Sequence, residues 1–283
     1  MNVNHILVVG SGVMGRGIAY SAALGGYQVT LCDISQSAIE NAKSEIGHLF
    51  LKAVDSERLT SEKAEHFSSK LNYSTELEKS ASSANFVIEA VPEVMSIKKE
   101  IFEKLDQYTS TETILATNTS TMSPTEIGSY TNRADKIIAM HFFNPVHKMK
   151  LVEIIKGLET SEETLRVTQE IAHAMGKETV GVNEFPGFVT SRISSLVGNE
   201  AFNMLMEGVG SPEEIDKAIE LGLNYPMGPF KLGDLVGLDT RLKNLEYLHK
   251  TLGEKYRPSP LLVKYVKAGR LGRKSGKGVY NYT

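Results

Sequence analysis

The chain has 283 residues, a formal net charge of −3 at neutral pH, and apolar and charged fractions of 41% and 23%, which are those of a soluble globular protein. That length supports one large domain or two ordinary ones, and the slightly negative balance gives no sign of a nucleic-acid partner. One cysteine, Cys32, excludes an internal disulfide and fits a reducing, cytoplasmic setting; no apolar run is long enough to cross a bilayer, and the opening residues lack the basic-then-apolar signature of a secretion signal.

His5 to Val9 is a short apolar run ending at glycine, the pattern of a buried parallel strand. The spacing predicts a helix over 13–25, a strand over 28–32, a helix over 37–54 and a polar helix over 61–69. A strand over 86–91 and a helix over 95–105 follow, then strands over 114–117, 137–142 and 151–155, a helix over 162–175 and a strand over 178–182. Strands alternating with helices imply an α/β fold with a mostly parallel sheet.

At Phe185-Pro186-Gly187 the pattern changes. Helices are predicted over 188–207, from Ser211 with Pro212 in the first turn, over 232–252 after the turn Pro226-Met227-Gly228-Pro229, and over 260–268. The expected organisation is an α/β domain over 1–185 followed by an all-α domain over 186–283. Gly272, Gly276 and Gly278 predict a tight, closely packed tail.

Gly10-Ser11-Gly12-Val13-Met14-Gly15 lies between the first strand and the first helix, where G-x-G-x-x-G is a Rossmann-type dinucleotide signature. Gly10 permits the tight turn, Gly12 lets backbone approach a pyrophosphate, and Gly15 lets helix and strand pack closely. Asp33 ends the second strand, where a carboxylate bonds ribose hydroxyls and repels a 2′-phosphate. Ile34, Ser35 and Gln36 offer no arginine to reverse that preference, so NAD is expected over NADP.

A dehydrogenase also needs a base near the carbinol proton and donors for the carbonyl oxygen. Two strand ends offer such groups: Thr117-Asn118-Thr119-Ser120-Thr121 and His141-Phe142-Phe143-Asn144-Pro145. Histidine suits the base because its pKa lies near neutrality. Glu153, inside the apolar run Leu151-Val152-Glu153-Ile154-Ile155, needs a partner. His141 is that partner if the two strands are neighbours; Lys150 and Lys156 are alternatives. Ser120 equally fits a helix cap, and a lone strand-end histidine equally fits a structural role. No His/Cys/Asp cluster has metal-ligand spacing.

The glycine loop, Asn118-Thr119-Ser120, His141-Phe142-Phe143-Asn144-Pro145, Lys150-Leu151-Val152-Glu153 and the tail Arg273-Lys274-Ser275-Gly276-Lys277-Gly278 occur in the order seen in the L-3-hydroxyacyl-CoA dehydrogenases, and the chain resembles that family over nearly its whole length. The resemblance implies a catalytic base at His141, its dyad partner at Glu153, and a serine at the substrate's 3-oxygen at Ser120. It implies cofactor contacts at Asn118, Glu93, Lys98 and Lys274, and places Asn144 near nicotinamide and substrate. It puts coenzyme A against the helical excursion after Asp33, with Lys52 and Ser56 as candidate contacts. Its helical domain carries substrate and forms a homodimer; Ile193, Leu196, Val197, Phe202 and Leu205 are the apolar residues available for the faces of its long first helix, and the reacting groups are expected in a cleft between the domains.

One position departs from the pattern. Many members carry asparagine before the arginine in the helix after Pro-Gly, where this chain has Ser191 before Arg192. Serine still donates a hydrogen bond but lacks the amide fork, and Thr190 or Ser194 stand close enough in sequence to compensate. The expected reaction is reversible NAD-dependent oxidation of a short-chain (3S)-3-hydroxyacyl-CoA, such as 3-hydroxybutanoyl-CoA, to the 3-oxoacyl-CoA, such as acetoacetyl-CoA. Two rivals are a related dehydrogenase of 3-hydroxy acids that does not use coenzyme A, and a cofactor-binding relative without turnover.

Overall fold

The computed structural model describes residues 3–282. It divides into two compact units, Met1–Glu184 and Phe185–Thr283.

The first unit runs β1 (His5–Val9), α1 (Val13–Leu24), β2 (Gln28–Cys32), α2 (Gln36–Asp55), α3 (Ser61–Ser68), β3 (Leu71–Ser74), α4 (Leu77–Ala81) and β4 (Phe86–Glu89). It continues with α5 (Met95–Tyr108), β5 (Ile114–Thr117), α6 (Pro124–Gly128), β6 (Ile137–Phe142), β7 (Leu151–Lys156), α7 (Glu162–Ala174) and β8 (Glu178–Asn183). The strands form one eight-stranded sheet in the order β3-β2-β1-β4-β5-β6-β7-β8. All pairs are parallel except β6–β7. Residues 143–150, which join those two strands, are too few for a crossover, so the chain returns antiparallel.

Ile6, Leu7 and Val8 of β1 are wholly buried, as befits a strand covered on both faces. Hydroxyl caps begin the surface helices: Ser35 accepts from the Ala38 N–H at α2, Thr60 from Lys63 at α3 and Ser161 from Thr164 at α7. β3, α4 and α6 were not foreseen. Each is four or five residues long, too short to show a period, and the mixed polarity of Leu71-Asn72-Tyr73-Ser74 reflects an edge position.

The sheet order reverses between β1 and β4, and a ligand crevice opens at such a switch point. There the Ala90 N–H donates to the Val9 carbonyl at 2.7 Å and the Gly10 N–H to the Cys32 carbonyl at 2.7 Å. Gly10 has φ +99°, and a Cβ on it would sit 2.6 Å from the Ala90 carbonyl oxygen.

The second unit contains α8 (Thr190–Met206), α9 (Pro212–Gly222), α10 (Pro229–Val236), α11 (Leu238–Leu252) and α12 (Pro260–Lys267). The expected single helix over 232–252 is two helices: Gly237 at φ +105° breaks it. Phe202, Phe230, Leu238, Leu245, Leu248 and Tyr256 are at the centre of its core. Two buried carboxylates organise the loops. Asp216 accepts from the Phe230 and Lys231 N–H groups and the Tyr280 hydroxyl, while Asp234 accepts from the Val279 and Tyr280 N–H groups. The tail packs tightly, as its glycines predict: a Cβ on Gly278 would lie 1.9 Å from Asp234 Oδ1.

A Cβ on Gly15 would lie 1.8 Å from the Gly10 carbonyl oxygen, with backbone on both sides of the contact. Gly15→Ala is therefore expected to lower stability by about 3 kcal/mol, at the upper end of overpacking costs. Thermal unfolding of the purified variant measures this, and an unchanged Tm would contradict the packing role.

Candidate active site

The carboxyl ends of β1, β2, β4, β5 and β6 carry the polar residues. At the first, the turn Gly10–Gly12 leads into α1, whose N-cap, Gly12, provides no side-chain acceptor. Gly12 is exposed, and a Cβ there would meet nothing within 4 Å. The helix end thus presents N–H groups toward open space, which suits a pyrophosphate. Ser11 donates from both N–H and hydroxyl to Asp33 Oδ2 at 2.8 Å each, and the Ser35 N–H donates to Oδ1 at 3.0 Å. Burial opposes the Asp33 charge, but these donors outweigh it and hold the carboxyl below its ordinary range. Asp33 thereby anchors the glycine loop, with its carboxylate at the strand end where a ribose acceptor is expected. Met14 packs on the core behind that loop, while Val13 is exposed. This end of the sheet fits NAD.

Behind the loop is a polar network that begins in the core. Lys98, on α5, is 0% exposed, and its Nζ lies 2.8 Å from both Glu89 oxygens. Glu89, also wholly buried, accepts further from the Thr117 hydroxyl at 2.6 Å and the Val91 N–H at 2.7 Å. Burial pushes its carboxyl above the usual carboxylate range, against the pull of Lys98 and the two other donors. Lys98 also lies 3.3 Å from Glu93 Oε2, and Glu93 Oε1 accepts from the Thr119 hydroxyl and, at 3.1 Å, from the Ser120 N–H. The chain of contacts therefore runs Glu89, Lys98, Glu93, Ser120. The Lys98 ammonium lies beneath the surface, so its side chain touches the site through Glu93. Ser120 does not cap a helix; Ser123 caps α6.

Antiparallel pairing of β6 and β7 sets His141 directly opposite Glu153. Nδ1 and Oε2 are 2.7 Å apart, with Glu153 0% and the His141 side chain 10% exposed. Lys156 instead pairs with Glu162, and Lys150 is exposed. The Phe143 ring packs on the imidazole at 4.5 Å between centroids. Asn118 ties the adjacent strand ends together: its N–H donates to the Glu89 carbonyl at 2.7 Å, and its Oδ1 accepts from the Phe142 N–H at 3.2 Å. Asn144, just past His141, is exposed.

Lys52 and Ser56 lie at the exposed end of α2. The Ser56 hydroxyl donates to the Lys52 carbonyl at 2.6 Å and accepts from Arg58 Nε at 2.8 Å. Partial burial, with the charges of Lys148, Arg58, Lys177 and Lys52, holds the His147 imidazole below its usual range. The fold thus gathers a basic cluster from the α2–α3 turn and the loop after β6. Arg58, His147, Lys148 and Glu89 were missed in the sequence. Glu89 had a signal, a carboxylate ending the apolar run Phe86-Val87-Ile88; the others had none, because only tertiary structure brings them together.

In the second unit, Ser191 is buried in the first turn of α8. Lys274 pairs with Asp239 at 2.6 Å and its side chain is 49% exposed. Of the other basic tail residues, Arg270 donates to the Gly278 carbonyl at 2.7 Å and Arg273 stacks on Tyr282. Among the described residues no group of three or more His, Cys, Asp or Glu is placed to hold a metal, and no helix is long and apolar enough to cross a membrane.

Comparison with known proteins agrees over the whole chain. The family profile described as "3-hydroxyacyl-CoA dehydrogenase, NAD binding domain" matches residues 5–185, and "3-hydroxyacyl-CoA dehydrogenase, C-terminal domain" matches residues 187–282. A probable 3-hydroxybutyryl-CoA dehydrogenase of Bacillus subtilis is 46% identical over 283 residues, covering 100% of this chain and 98% of that protein. The 3-hydroxybutyryl-CoA dehydrogenase of Clostridioides difficile is 44% identical, covering 98% of this chain and 99% of that one. The crystal structure of (S)-3-hydroxybutyryl-CoA dehydrogenase from Ralstonia eutropha superposes with a TM-score of 0.96 at 39% identity, covering 100% of both chains.

Asp33→Ala should weaken NADH binding about tenfold and narrow the preference over NADPH, since one acceptor for the ribose and one source of repulsion are lost together. Fluorescence titration with both cofactors measures the ratio; a ratio equal to wild type would remove Asp33 from cofactor choice.

Proposed function

The chain belongs to the 3-hydroxyacyl-CoA dehydrogenase family and is an NAD-dependent dehydrogenase, and on that premise we propose that it interconverts short-chain (3S)-3-hydroxyacyl-CoA and 3-oxoacyl-CoA, with 3-hydroxybutanoyl-CoA and acetoacetyl-CoA as its pair. The observation that carries the chemistry is the His141–Glu153 dyad. Glu153 holds Nδ1 at 2.7 Å, so proton exchange with the substrate falls to Nε2. Bound NAD supplies the hydride acceptor. His141 takes the hydroxyl proton as the C3 carbonyl forms, and the buried carboxylate of Glu153 stabilises the resulting imidazolium. Reduction uses the same groups, with His141 as the acid. Ser120, fixed through its N–H by Glu93, donates to the 3-oxygen, and Asn144 orients the acyl group beside it. Ser191 contacts the substrate from α8. Glu93, Asn118 and Lys274 contact the cofactor, Lys98 through Glu93.

The basic cluster of Lys52, Arg58, His147 and Lys148 supports coenzyme A over a free hydroxy acid, because a phosphate-rich carrier is drawn to concentrated positive charge. Ser56 belongs to this subsite by holding Arg58. Residues 1–185 act as the cofactor domain and 186–283 as the substrate and dimerisation domain. Exposed Ile193 and Met206 on α8, with Leu221 and Leu223 at the end of α9, support a homodimer through the helical unit. The lone cysteine supports a cytoplasmic location.

Purified protein with NADH and acetoacetyl-CoA should oxidise NADH rapidly, and free acetoacetate should give no comparable rate. His141→Ala should lower kcat by about a thousandfold, as for loss of a general acid, with NADH affinity unchanged. Absence of wild-type turnover, despite NADH binding, would sink the reading.

Arg58→Ala should raise KM for acetoacetyl-CoA several-fold at low salt, by about one charge-assisted contact, and leave kcat alone. The difference should shrink as salt is added and vanish for an acetoacetyl-pantetheine thioester, which lacks the nucleotide phosphates. An equal loss with both thioesters would place Arg58 outside the carrier subsite.

A further inference from the structure

The return between β6 and β7 folds around a buried ammonium. Lys177, between α7 and β8, is 7% exposed, and its Nζ donates to the Val146 carbonyl at 2.5 Å and to the Met149 carbonyl at 3.0 Å. The backbone around it is fixed: its own N–H donates to the Ala172 carbonyl at 3.0 Å, and the Glu178 N–H to the Lys150 carbonyl at 2.9 Å. Lys98 and Arg133, also buried, each meet a carboxylate. Lys177 meets these two carbonyls instead, and burial, with no carboxylate to offset it, pushes its pKa down. A charge desolvated in this way is costly, and an apolar side chain would fill the space without that cost. The ammonium is therefore explained by what it holds.

It holds the loop of residues 143–150. The Lys148 and Met149 N–H groups both donate to the Pro145 carbonyl, at 3.0 and 3.1 Å, so the loop turns back on itself and brings the Val146 and Met149 carbonyls to one cation. The same loop is seated on α1. Val146 is buried, a Cβ on Gly17 would stand 2.8 Å from Val146 Cβ, and the Tyr20 ring meets the His147 ring edge-on at 6.4 Å. At the start of the loop Phe143 packs on the His141 imidazole, and Asn144 follows it. Without the ammonium, the buried Val146 carbonyl would lose its donor, and the loop would have to rearrange to find another.

We propose that Lys177 is a positioning residue: by clamping the Val146 and Met149 carbonyls it fixes the β6–β7 return, and with it Asn144 beside the His141 base. Lys177 does this from beneath the loop and makes no contact with the substrate. Its effect is on alignment, where a misplacement of about 1 Å costs on the order of a hundredfold in rate. The part played by Asn144 rests on the acyl-CoA reading above, whereas the clamp stands apart from it.

The test compares wild type, Lys177→Met, which keeps the stem and removes the donors, Asn144→Ala and the Lys177→Met/Asn144→Ala double variant. Backbone amide exchange, Tm, NADH affinity and steady-state kinetics with acetoacetyl-CoA are measured for each. In Lys177→Met, exchange should quicken about tenfold within 143–150 and stay at the wild-type rate in β1 and β2. Its kcat should fall roughly 10- to 100-fold, with NADH affinity held within about twofold. In the Asn144→Ala background the same substitution should lower kcat by less than about threefold, because the group it aligns is already gone. Wild-type exchange in the loop overturns the clamp. A wild-type kcat overturns the positioning role, and so does a loss as large without Asn144 as with it, which is what a merely structural lysine would give. Should Lys177→Met not fold, Lys177→Gln, shorter and with a neutral donor, takes its place under the same criteria. A wild type that turns over no acyl-CoA strikes the reaction itself, and loop exchange then still decides the clamp.

Discussion

A carboxylate cannot stay ionised in an apolar strand without a donor beside it, and Glu153 has His141. That one contact fixes much else. It requires β6 and β7 to pair in a single register, since a slip of one residue would turn Glu153 to the opposite face of the sheet. It requires the short return between them, and so makes this the one antiparallel pair in the sheet. It also decides which imidazole nitrogen the carboxylate engages, which neither residue could settle alone.

The second buried carboxylate plays another part. Glu89 meets a lysine, a hydroxyl and a backbone N–H, so its charge is spent on order rather than on proton transfer. The order is passed outward. Lys98 also holds Glu93, and Glu93 holds the backbone of Ser120, whose hydroxyl is the proposed donor to the 3-oxygen. A serine on an irregular loop would otherwise sample several positions, and orientation is a large share of what such a donor contributes. Two buried carboxylates in the same sheet thus divide the work: one orients an imidazole and the other steadies the Ser120 loop.

How legible this was depends on whether a feature is local. The strand ends, the G-x-G-x-x-G turn and Asp33 are written in consecutive residues, and the sheet follows them closely. The His141–Glu153 pair was legible only as a demand: an apolar strand with one acid needs a partner, while Lys150 and Lys156 competed for it until the register decided. Glu89 made the same demand and was passed over, because the run Phe86–Ile88 reads as a strand without it. The break at Gly237 was hidden since apolar spacing continues through it, whereas its φ of +105° is a matter of backbone alone. The basic cluster around His147 was out of reach, being assembled from a helix–helix turn and a loop about ninety residues apart in sequence, a separation that no local pattern records.

The β1–α1 turn with Asp33 and the α2–α3 turn offer a phosphate contrasting surroundings, and under the proposed acyl-CoA reading the contrast lets one modestly acidic chain take two nucleotide-bearing ligands. At the β1–α1 turn the donors open to a pyrophosphate are backbone N–H groups, and beside them, at the end of β2, is Asp33, a carboxylate its own loop keeps charged and that an extra ribose phosphate would meet. At the α2–α3 turn the positive charge is on side chains, where it is mobile, salt-sensitive and tolerant of a phosphate that has no fixed geometry. Backbone donors discriminate by shape and flexible cations by charge. A cofactor that must be aligned to a fraction of an ångström calls for the first, and a carrier that need only be held by its distal end calls for the second. The small net charge of −3 therefore reflects local concentrations of both signs rather than a uniform surface.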